Sequence, residues 1–197
     1  MIDILVLYYS RNGATESLAR AVCDGIDTVP GAASRLRTVP AVSTVVEATA
    51  DAIPEDGPAF VSLGDLQECA GLVLGSPTRF GNMAAAVKYF LDSTGADWMN
   101  GTLIGKPAGL FTSTSSLHGG QEATLLSMSV PLLHHGMLLV GVPYSVEALS
   151  TTTTGGTPYG ASHVTWNRKP DTLSDDEADI AKALGARVAR IAIKLAD

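Results

Sequence analysis

The chain has 197 residues, 46% of them hydrophobic, and a formal net charge of −7 at pH 7. This length suits one domain, residues 1–197, with a full hydrophobic core, and the acidic balance argues against nucleic acid as a main partner. No apolar run approaches the roughly 20 residues that span a bilayer, so we expect no stable membrane insertion.

Strand and helix patterns alternate along the chain. Near-continuous apolar runs, such as residues 70–75, indicate strands buried on both faces, which is typical of a parallel sheet covered by helices. We therefore predict an α/β fold with a doubly wound five-stranded parallel sheet in the order 2-1-3-4-5 and helices on both faces. The predicted strands cover residues 2–9, 33–39, 70–75, 107–112 and 137–142, and the predicted helices cover residues 14–27, 64–69, 82–94, 120–135 and 174–195.

Two segments do not fit this alternation. Residues 40–63 contain prolines and scattered acids, and we expect a surface insertion there. Residues 143–170 form an unusually long connection, and such loops in compact domains usually serve a function or an interface. The chain starts with a strand pattern and no basic segment, and Cys23 and Cys69 lack C-x-x-C spacing, so we expect a cytoplasmic protein with reduced, buried cysteines.

The loop after the first strand has the composition of an anion site. A strand that runs directly into a helix through small and hydroxyl residues points backbone N–H groups and the positive end of the helix dipole at one spot. The segment lacks the P-loop lysine and the G-x-G-x-x-G fingerprint. With Tyr8 before it, its spacing resembles the flavodoxin phosphate loop for flavin mononucleotide (FMN), and an ordinary strand-to-helix turn explains it less well. The predicted phosphate ligands are Ser10, Arg11, Asn12, Gly13, Ala14 and Thr15.

The loop after the third predicted strand carries a cation and an aromatic side chain. Pro77 and Gly81 favour an irregular loop whose N–H groups stay free for a ligand. A simple turn capped by Asn82 is the alternative, but it leaves Arg79 and Phe80 unexplained. The candidate binding residues are Pro77, Thr78, Arg79, Phe80, Gly81 and Asn82.

Hydroxyls and glycines dominate the loop after the fourth predicted strand. The run His118-Gly119-Gly120 suggests a lipase-type oxyanion loop, but no G-x-S-x-G nucleophile motif is present, which excludes that hydrolase class. Because loops at the carboxyl ends of parallel strands meet at the switch point, this loop joins the other two in one predicted site. Its candidate residues are Ser113, Thr114, Ser115, Ser116, Leu117, His118 and Gly119.

His134 and His135 lie at the end of a predicted helix, where histidine interacts favourably with the helix dipole. Adjacent residues on a helix point in different directions, so the pair is not expected to chelate a metal. With only four histidines in the chain, we predict no metal site.

Several further segments resemble the WrbA-type NAD(P)H:quinone oxidoreductases, from residue 4 to the C-terminal helix. The resemblance implies a flavodoxin-like fold, bound FMN, two-electron reduction of quinones by NADH or NADPH, and a homotetramer. The segments that carry it are residues 76–83, 91–95 followed by Trp98, 119–122, 134–137 and 155–161.

The resemblance also implies roles for individual residues. The isoalloxazine ring would rest against Thr78, Arg79 and Phe80 and against the loop from Ser113 to Gly119. Trp98 would cover the flavin, His134 would reach its ring, and Tyr144 would form the further wall of the substrate slot. Phe80 would serve a neighbouring subunit's site. Two departures from the family are visible. Residues 115–118 replace a glycine-rich stretch in a loop about one residue longer, which leaves the flavin contacts there open. Arg11-Asn12 stands where an aromatic often follows the serine, which leaves the nicotinamide preference open.

The implied reaction is a ping-pong cycle in one slot, with hydride transfer through flavin N5 followed by quinone reduction. His134 would hydrogen-bond the quinone oxygen as charge builds there, a role that asks less of its pKa than proton donation does. Two alternatives remain. A one-electron-carrying flavodoxin usually has an acidic face, whereas these loops carry Arg11 and Arg79. A non-catalytic regulatory FMN protein has no need of an aromatic slot.

Overall fold

The computed structural model describes residues 1–42, 57–166, 169 and 171–196. Strands and helices alternate along it as the sequence predicts. The elements are β1 Ile2–Tyr8, α1 Ala14–Asp27, β2 Ala32–Thr38, α2 Leu63–Glu68, β3 Gly71–Arg79, β4 Asn82–Met83, α3 Ala85–Asp92, α4 Gly95–Met99, β5 Pro107–Thr114, α5 Gln121–His134, β6 Leu138–Leu139, α6 Ala148–Thr151, β7 Ala161–Val164 and α7 Asp175–Ala196.

The central sheet confirms the predicted doubly wound α/β architecture. Its strands run in the order β2-β1-β3-β5, and all of these neighbours pair in parallel. The fifth position, beside β5, is shared by β6 and β7, which both pair in parallel with β5. The carboxyl ends of β1, β3 and β5 therefore lie side by side at one edge of the sheet.

The predicted fifth strand, residues 137–142, is correct in place but too long. Only Leu138 and Leu139 pair as β6, opposite Pro107 and Ala108. The chain then turns away, and the Val142 amide donates to the Pro158 carbonyl instead of to β5. Val140 and Val142 are nevertheless buried, so the apolar pattern continues where the strand does not.

The long connection is more ordered than predicted, because it contains α6 and β7. β7 pairs with the carboxyl half of β5, from Phe111 to Thr114, and so completes the edge that β6 leaves short. The predicted insertion at 40–63 has residues 43–56 outside the described part of the chain. Within the described part of the insertion, Phe60 bridges to Thr38 at the end of β2.

The predicted helix over 82–94 is divided. Asn82 and Met83 form a short antiparallel pair with Thr78 and Arg79, and the helix α3 begins only at Ala85. The Ala84 amide donates to the Ser76 hydroxyl at 2.8 Å, which fixes the chain in an extended form before the helix starts. The Asn82 cap considered from the sequence is therefore not formed, since Ala84 occupies the N-cap position.

Two hydrophobic layers enclose the sheet. Ile4 and Val6 of β1 face α1 and α7, whereas Leu5 and Leu7 face α3 and α5. The helices α1 and α7 approach closely at Gly185, where a Cβ atom would lie 2.2 Å from the Val22 carbonyl oxygen. This contact sets the position of α1, whose N-terminus carries the predicted phosphate loop. No helix within the described ranges combines the length and the apolar character that crossing a bilayer requires.

Candidate functional site

The three predicted loops meet around one small cavity of about 160 Å³ at the carboxyl ends of β1, β3 and β5. The loop after β1 and the start of α1 contribute Ser10, Arg11, Asn12, Ala14 and Thr15. The end of β3 contributes Pro77, Thr78 and Arg79, which were predicted to lie in an irregular loop but belong to the strand. The end of β5 and the residue after it contribute Ser113, Thr114 and Ser115. Thr165, which follows β7, completes the lining and was not predicted from the sequence. We call this space the loop cavity.

The N-terminus of α1 faces the loop cavity without a capping side chain. Gly13 occupies the N-cap position at a φ of 85°, a left-handed conformation that favours glycine. The Ser10 hydroxyl is buried and has no hydrogen-bond partner among the described residues. A buried hydroxyl and uncapped helix amides at one point fit the oxygens of a phosphate group.

Side chains from two loops are coupled inside this cavity. The hydroxyl oxygens of Thr15 and Ser113 lie 2.9 Å apart, within hydrogen-bonding distance, although the two residues come from α1 and β5. Arg79 donates from Nη1 to the Thr78 carbonyl at 2.7 Å, which holds the guanidinium near the cavity. Arg11 and Arg79 are the only charged residues in the described lining, and both are cationic. The cavity therefore favours an anion.

Phe80 adopts an unusual conformation at the tip of the β3 loop. Its φ is 54°, and among the described residues it is the only non-glycine residue with a positive φ. Its side chain is fully exposed to solvent. Such a conformation costs free energy, and the exposed ring gains no burial within this chain to offset it.

The predicted residues Ser116, Leu117, His118 and Gly119 form a tight loop beside the cavity but do not line it. The Thr114 hydroxyl donates to the Ser116 carbonyl at 2.9 Å, and the Gln121 side-chain amide donates to the Leu117 carbonyl at 2.9 Å. These two bonds fix the shape of the loop from within.

A second and much larger space adjoins the loop cavity. It is an open groove of about 1060 Å³ between α3, α4 and α5, lined largely by apolar groups, and Arg79 borders both spaces. Trp98 and His134 lie in this groove, as does Asn82 of the β3 loop. The Trp98 indole N–H donates to the His134 carbonyl at 2.8 Å, which joins α4 to the end of α5. We call this space the aromatic groove.

The two adjacent histidines have different environments. The His135 ring is buried, and its Nε2 lies 3.0 Å from the Thr94 hydroxyl. Burial lowers the pKa of His135, partly countered by the charge of Asp97, so this ring is kept neutral near pH 7. Both histidines border the aromatic groove, but His134 is exposed, so its ring is the one placed to meet a ligand there.

Tyr144 lies outside both spaces. Two thirds of its surface is exposed, and it borders neither the loop cavity nor the aromatic groove within a single chain. Its role as a wall of the substrate slot stays a prediction, as do the individual flavin contacts of the three loops.

A doubly wound sheet with a cationic, hydroxyl-lined cavity at its switch point defines the class of flavodoxin-like nucleotide-binding proteins. The solved structure of a WrbA-like flavodoxin from Agrobacterium tumefaciens matches at a TM-score of 0.70 and 22% identity, covering 98% of this chain and 99% of that one. A flavodoxin from the Archaea matches at a TM-score of 0.64 and 19% identity, covering 98% of this chain and 99% of that one. Both likenesses confirm the fold.

Sequence comparison identifies the family within this class. The model of the NADPH-dependent FMN reductase family matches residues 3–150. A protein of Chromohalobacter salexigens named NAD(P)H dehydrogenase (quinone) is 46% identical across the full length of both chains. The chain therefore belongs to the NADPH-dependent FMN reductase family, and the predicted relationship to WrbA-type oxidoreductases is confirmed.

Proposed function

We propose that this protein binds FMN and catalyses the two-electron reduction of quinones by NADH or NADPH. One observation carries the proposal: an anion-binding cavity opens, at Arg79, beside a wide groove bordered by Trp98 and His134. The first space suits a phosphate, and the second suits a flat apolar molecule. The name of the Chromohalobacter relative supports the choice of quinone as acceptor.

The residues present fit FMN. The unpartnered Ser10 hydroxyl, the uncapped start of α1 and the Arg11 side chain would hold its phosphate. Thr78, Arg79 and the residues 113–115 would lie along the rest of the molecule toward the aromatic groove. The hydroxyls supply neutral donors and acceptors, and the arginines balance the phosphate charge.

The redox chemistry belongs to the cofactor. When bound, FMN supplies two-electron exchange, so that NAD(P)H, a proton and a quinone give NAD(P)⁺ and a hydroquinone. The protein provides one groove for both flat substrates, which favours alternate binding and hence ping-pong kinetics. Trp98 would stack on the substrate, and its bond to the His134 carbonyl holds the indole in place.

His134 would donate a hydrogen bond to the quinone oxygen on which negative charge develops. A hydrogen bond to a charged oxygen is stronger than one to a neutral carbonyl, so the contact strengthens as the reaction proceeds. This role requires only one N–H on the imidazole.

The proposed assembly is a homotetramer in the cytoplasm. The exposed Phe80, held at a positive φ, suits a contact with a neighbouring subunit's site better than one with water. In that arrangement Tyr144 would form a wall of the substrate slot together with a neighbouring subunit. Activity would then depend on assembly.

The test is anaerobic reduction of the FMN-saturated protein by NADH or NADPH, followed through the flavin spectrum. We expect bleaching in one two-electron step, and recovery of the colour on addition of benzoquinone. A flavin that binds but is reduced by neither nucleotide would contradict the proposal. That result would favour a one-electron carrier or a regulatory FMN protein.

A further inference from the structure

A buried carboxylate outside the loop cavity joins several chain segments. Glu177, in the first turn of α7, is fully buried. Its Oε1 accepts hydrogen bonds from the Gly155 amide at 2.9 Å and the Val164 amide at 3.0 Å. Its Oε2 accepts one from the Ser174 amide at 2.9 Å and lies 2.9 Å from His163 Nδ1. Four groups from three chain segments thus meet on one side chain.

The surroundings of Glu177 are built to hold it ionised. Burial by itself would raise the pKa of Glu177, but the hydrogen bonds from His163 and from the Ser174 and Val164 amides outweigh it and lower the pKa to about 2. A Cβ atom on Gly155 would lie 2.1 Å from the Ser162 carbonyl oxygen and 2.8 Å from Oε1, so no larger residue fits beside the carboxylate. The charged form is therefore the one that this site fits.

The amides held by Glu177 lead directly to the phosphate end of the loop cavity. Val164 precedes Thr165, which lines the cavity and whose amide donates to the Thr114 carbonyl at 2.9 Å. Ser174 lies three residues after Asp171 in the same segment. The Asp171 carbonyl accepts a hydrogen bond at 2.9 Å from the hydroxyl of Ser17, which lies in the first turn of α1. Glu177 thus anchors chain on both sides of the phosphate loop.

The opposite face of β7 supports a different loop. The Ser162 hydroxyl donates to the Gln121 side-chain carbonyl, and the Gln121 amide donates to the Leu117 carbonyl. Because successive residues of a strand point to opposite faces, Ser162 and His163 direct these two networks to opposite sides of the sheet. The Ser162 network reaches the loop expected to face the flavin ring.

We propose that Glu177, with His163, is a positioning residue that fixes the wall of the cofactor site at its phosphate end and so sets the preference for FMN over riboflavin. The inference rests on the proposed FMN binding. Neither side chain would touch the cofactor. Their effect would pass through Thr165 and Asp171, which lie next to the phosphate loop. Loss of the pair should weaken binding of the phosphorylated flavin selectively.

The experiment measures dissociation constants for FMN and for riboflavin, which lacks the phosphate, by titrating flavin fluorescence with the flavin-free full chain. For Glu177→Gln we expect FMN affinity to fall about tenfold and riboflavin affinity to change less than about twofold. Gln121→Ala is the control for the network on the other face of β7, since the Gln121 side chain bonds Ser162 and the Leu117 carbonyl and not Glu177. It should weaken both ligands by the same factor and leave their ratio unchanged.

A second variant keeps the test decisive if Glu177→Gln does not fold. Ser17→Ala removes the bond from α1 to the Asp171 carbonyl together with a 3.1 Å bond to the Gly13 carbonyl, and it should lower the FMN-to-riboflavin affinity ratio by about threefold. An unchanged ratio in both variants, or in Ser17→Ala where it alone folds, would overturn the inference. If the wild-type chain itself fails to bind FMN, the proposed function falls first and the inference with it.

Discussion

The loop cavity and the aromatic groove share Arg79 but are built on different principles. The cavity is small and is lined by hydroxyls, small residues and two cations from four segments of one chain. The groove is more than six times larger, open and mostly apolar, and its tryptophan is half exposed. One space is closed by the chain's own loops, whereas the other presents aromatic surface to solvent.

This difference separates two tasks. A resident cofactor is best held by fixed polar groups, since each well-placed donor forms a strong hydrogen bond to a charged phosphate. Two substrates that bind alternately need an open surface on which different flat rings can stack. The half-exposed Trp98 in the groove also suits completion by a second copy. The following predictions test this division.

The largest effect is expected in the loop cavity. Replacing Ser10 and Thr15 together by alanine should weaken FMN binding by roughly 100-fold, because two hydrogen bonds to a charged phosphate are lost. Riboflavin affinity should change little, and fluorescence titration measures both. Unchanged FMN affinity would show that the phosphate binds elsewhere.

The buried support of the cavity should show in stability. Since the pKa of Glu177 is held at about 2, against an ordinary 4.5, the ionised carboxylate stabilises the fold fully above pH 4.5, and this contribution is lost as the pH falls toward 2. Near neutral pH, Glu177→Gln should lower the free energy of unfolding by roughly 2 kcal/mol. Denaturant titration should show the gap to wild type narrowing below pH 4.5.

The exposed Glu122 provides the control for this measurement. Glu122→Gln should change the free energy of unfolding by less than about 0.5 kcal/mol at any pH. A gap between wild type and Glu177→Gln that stays constant down to pH 2 would contradict the role assigned to the ionised carboxylate.

The groove should affect turnover instead of cofactor affinity. Trp98→Ala and His134→Ala are each expected to lower kcat/KM for quinone about tenfold, because stacking or a hydrogen bond to the developing charge is lost. Both are assayed at saturating FMN, where the Ser10/Thr15 variant should recover its activity. Trp98→Phe should restore part of the loss. Full activity in both alanine variants would place the substrate slot elsewhere.

The smallest effect concerns the proposed neighbour contact. Phe80→Ala should lower quinone reductase activity about threefold and leave the FMN dissociation constant unchanged, because the ring would be lost from an adjacent subunit's site. Leu195→Ala, which changes another exposed apolar residue near the end of α7, should have no effect. Sedimentation velocity completes the test: a fully active monomer would exclude a shared site.

Much of the fold and most of the loop cavity could be predicted because their signals are local. An apolar run that is followed by Ser10 and Gly13 and then by a helical pattern predicts a strand, a loop and a helix from a few neighbouring residues. The same holds for Pro77 to Arg79 and for Ser113 to Ser115, and the known ordering of parallel strands brings the three loops together. Eleven of the twelve residues that line the cavity lie in these predicted loops.

The edge of the sheet could not be predicted in the same way. Val140 and Val142 continue the apolar pattern of a strand, although burial in a loop satisfies them equally well. β7 gives no apolar run at all, since two of its four residues are Ser162 and His163. Because β7 was not predicted, Thr165, which follows it, could not be assigned to the site.

By itself, the sequence determined the alternating α/β architecture, the loop after β1 that lines the cavity, and the family, because each depends on short spacings between residues close in the chain. Only the tertiary structure decided how the edge is shared between β6 and β7. It also decided that buried polar residues stand behind the site: the Ser162 hydroxyl meets Gln121, 41 residues away, and Nδ1 of His163 meets Glu177, 14 residues away. A polar side chain can be buried only where a partner meets it, and that partner is chosen by the packing of the whole chain.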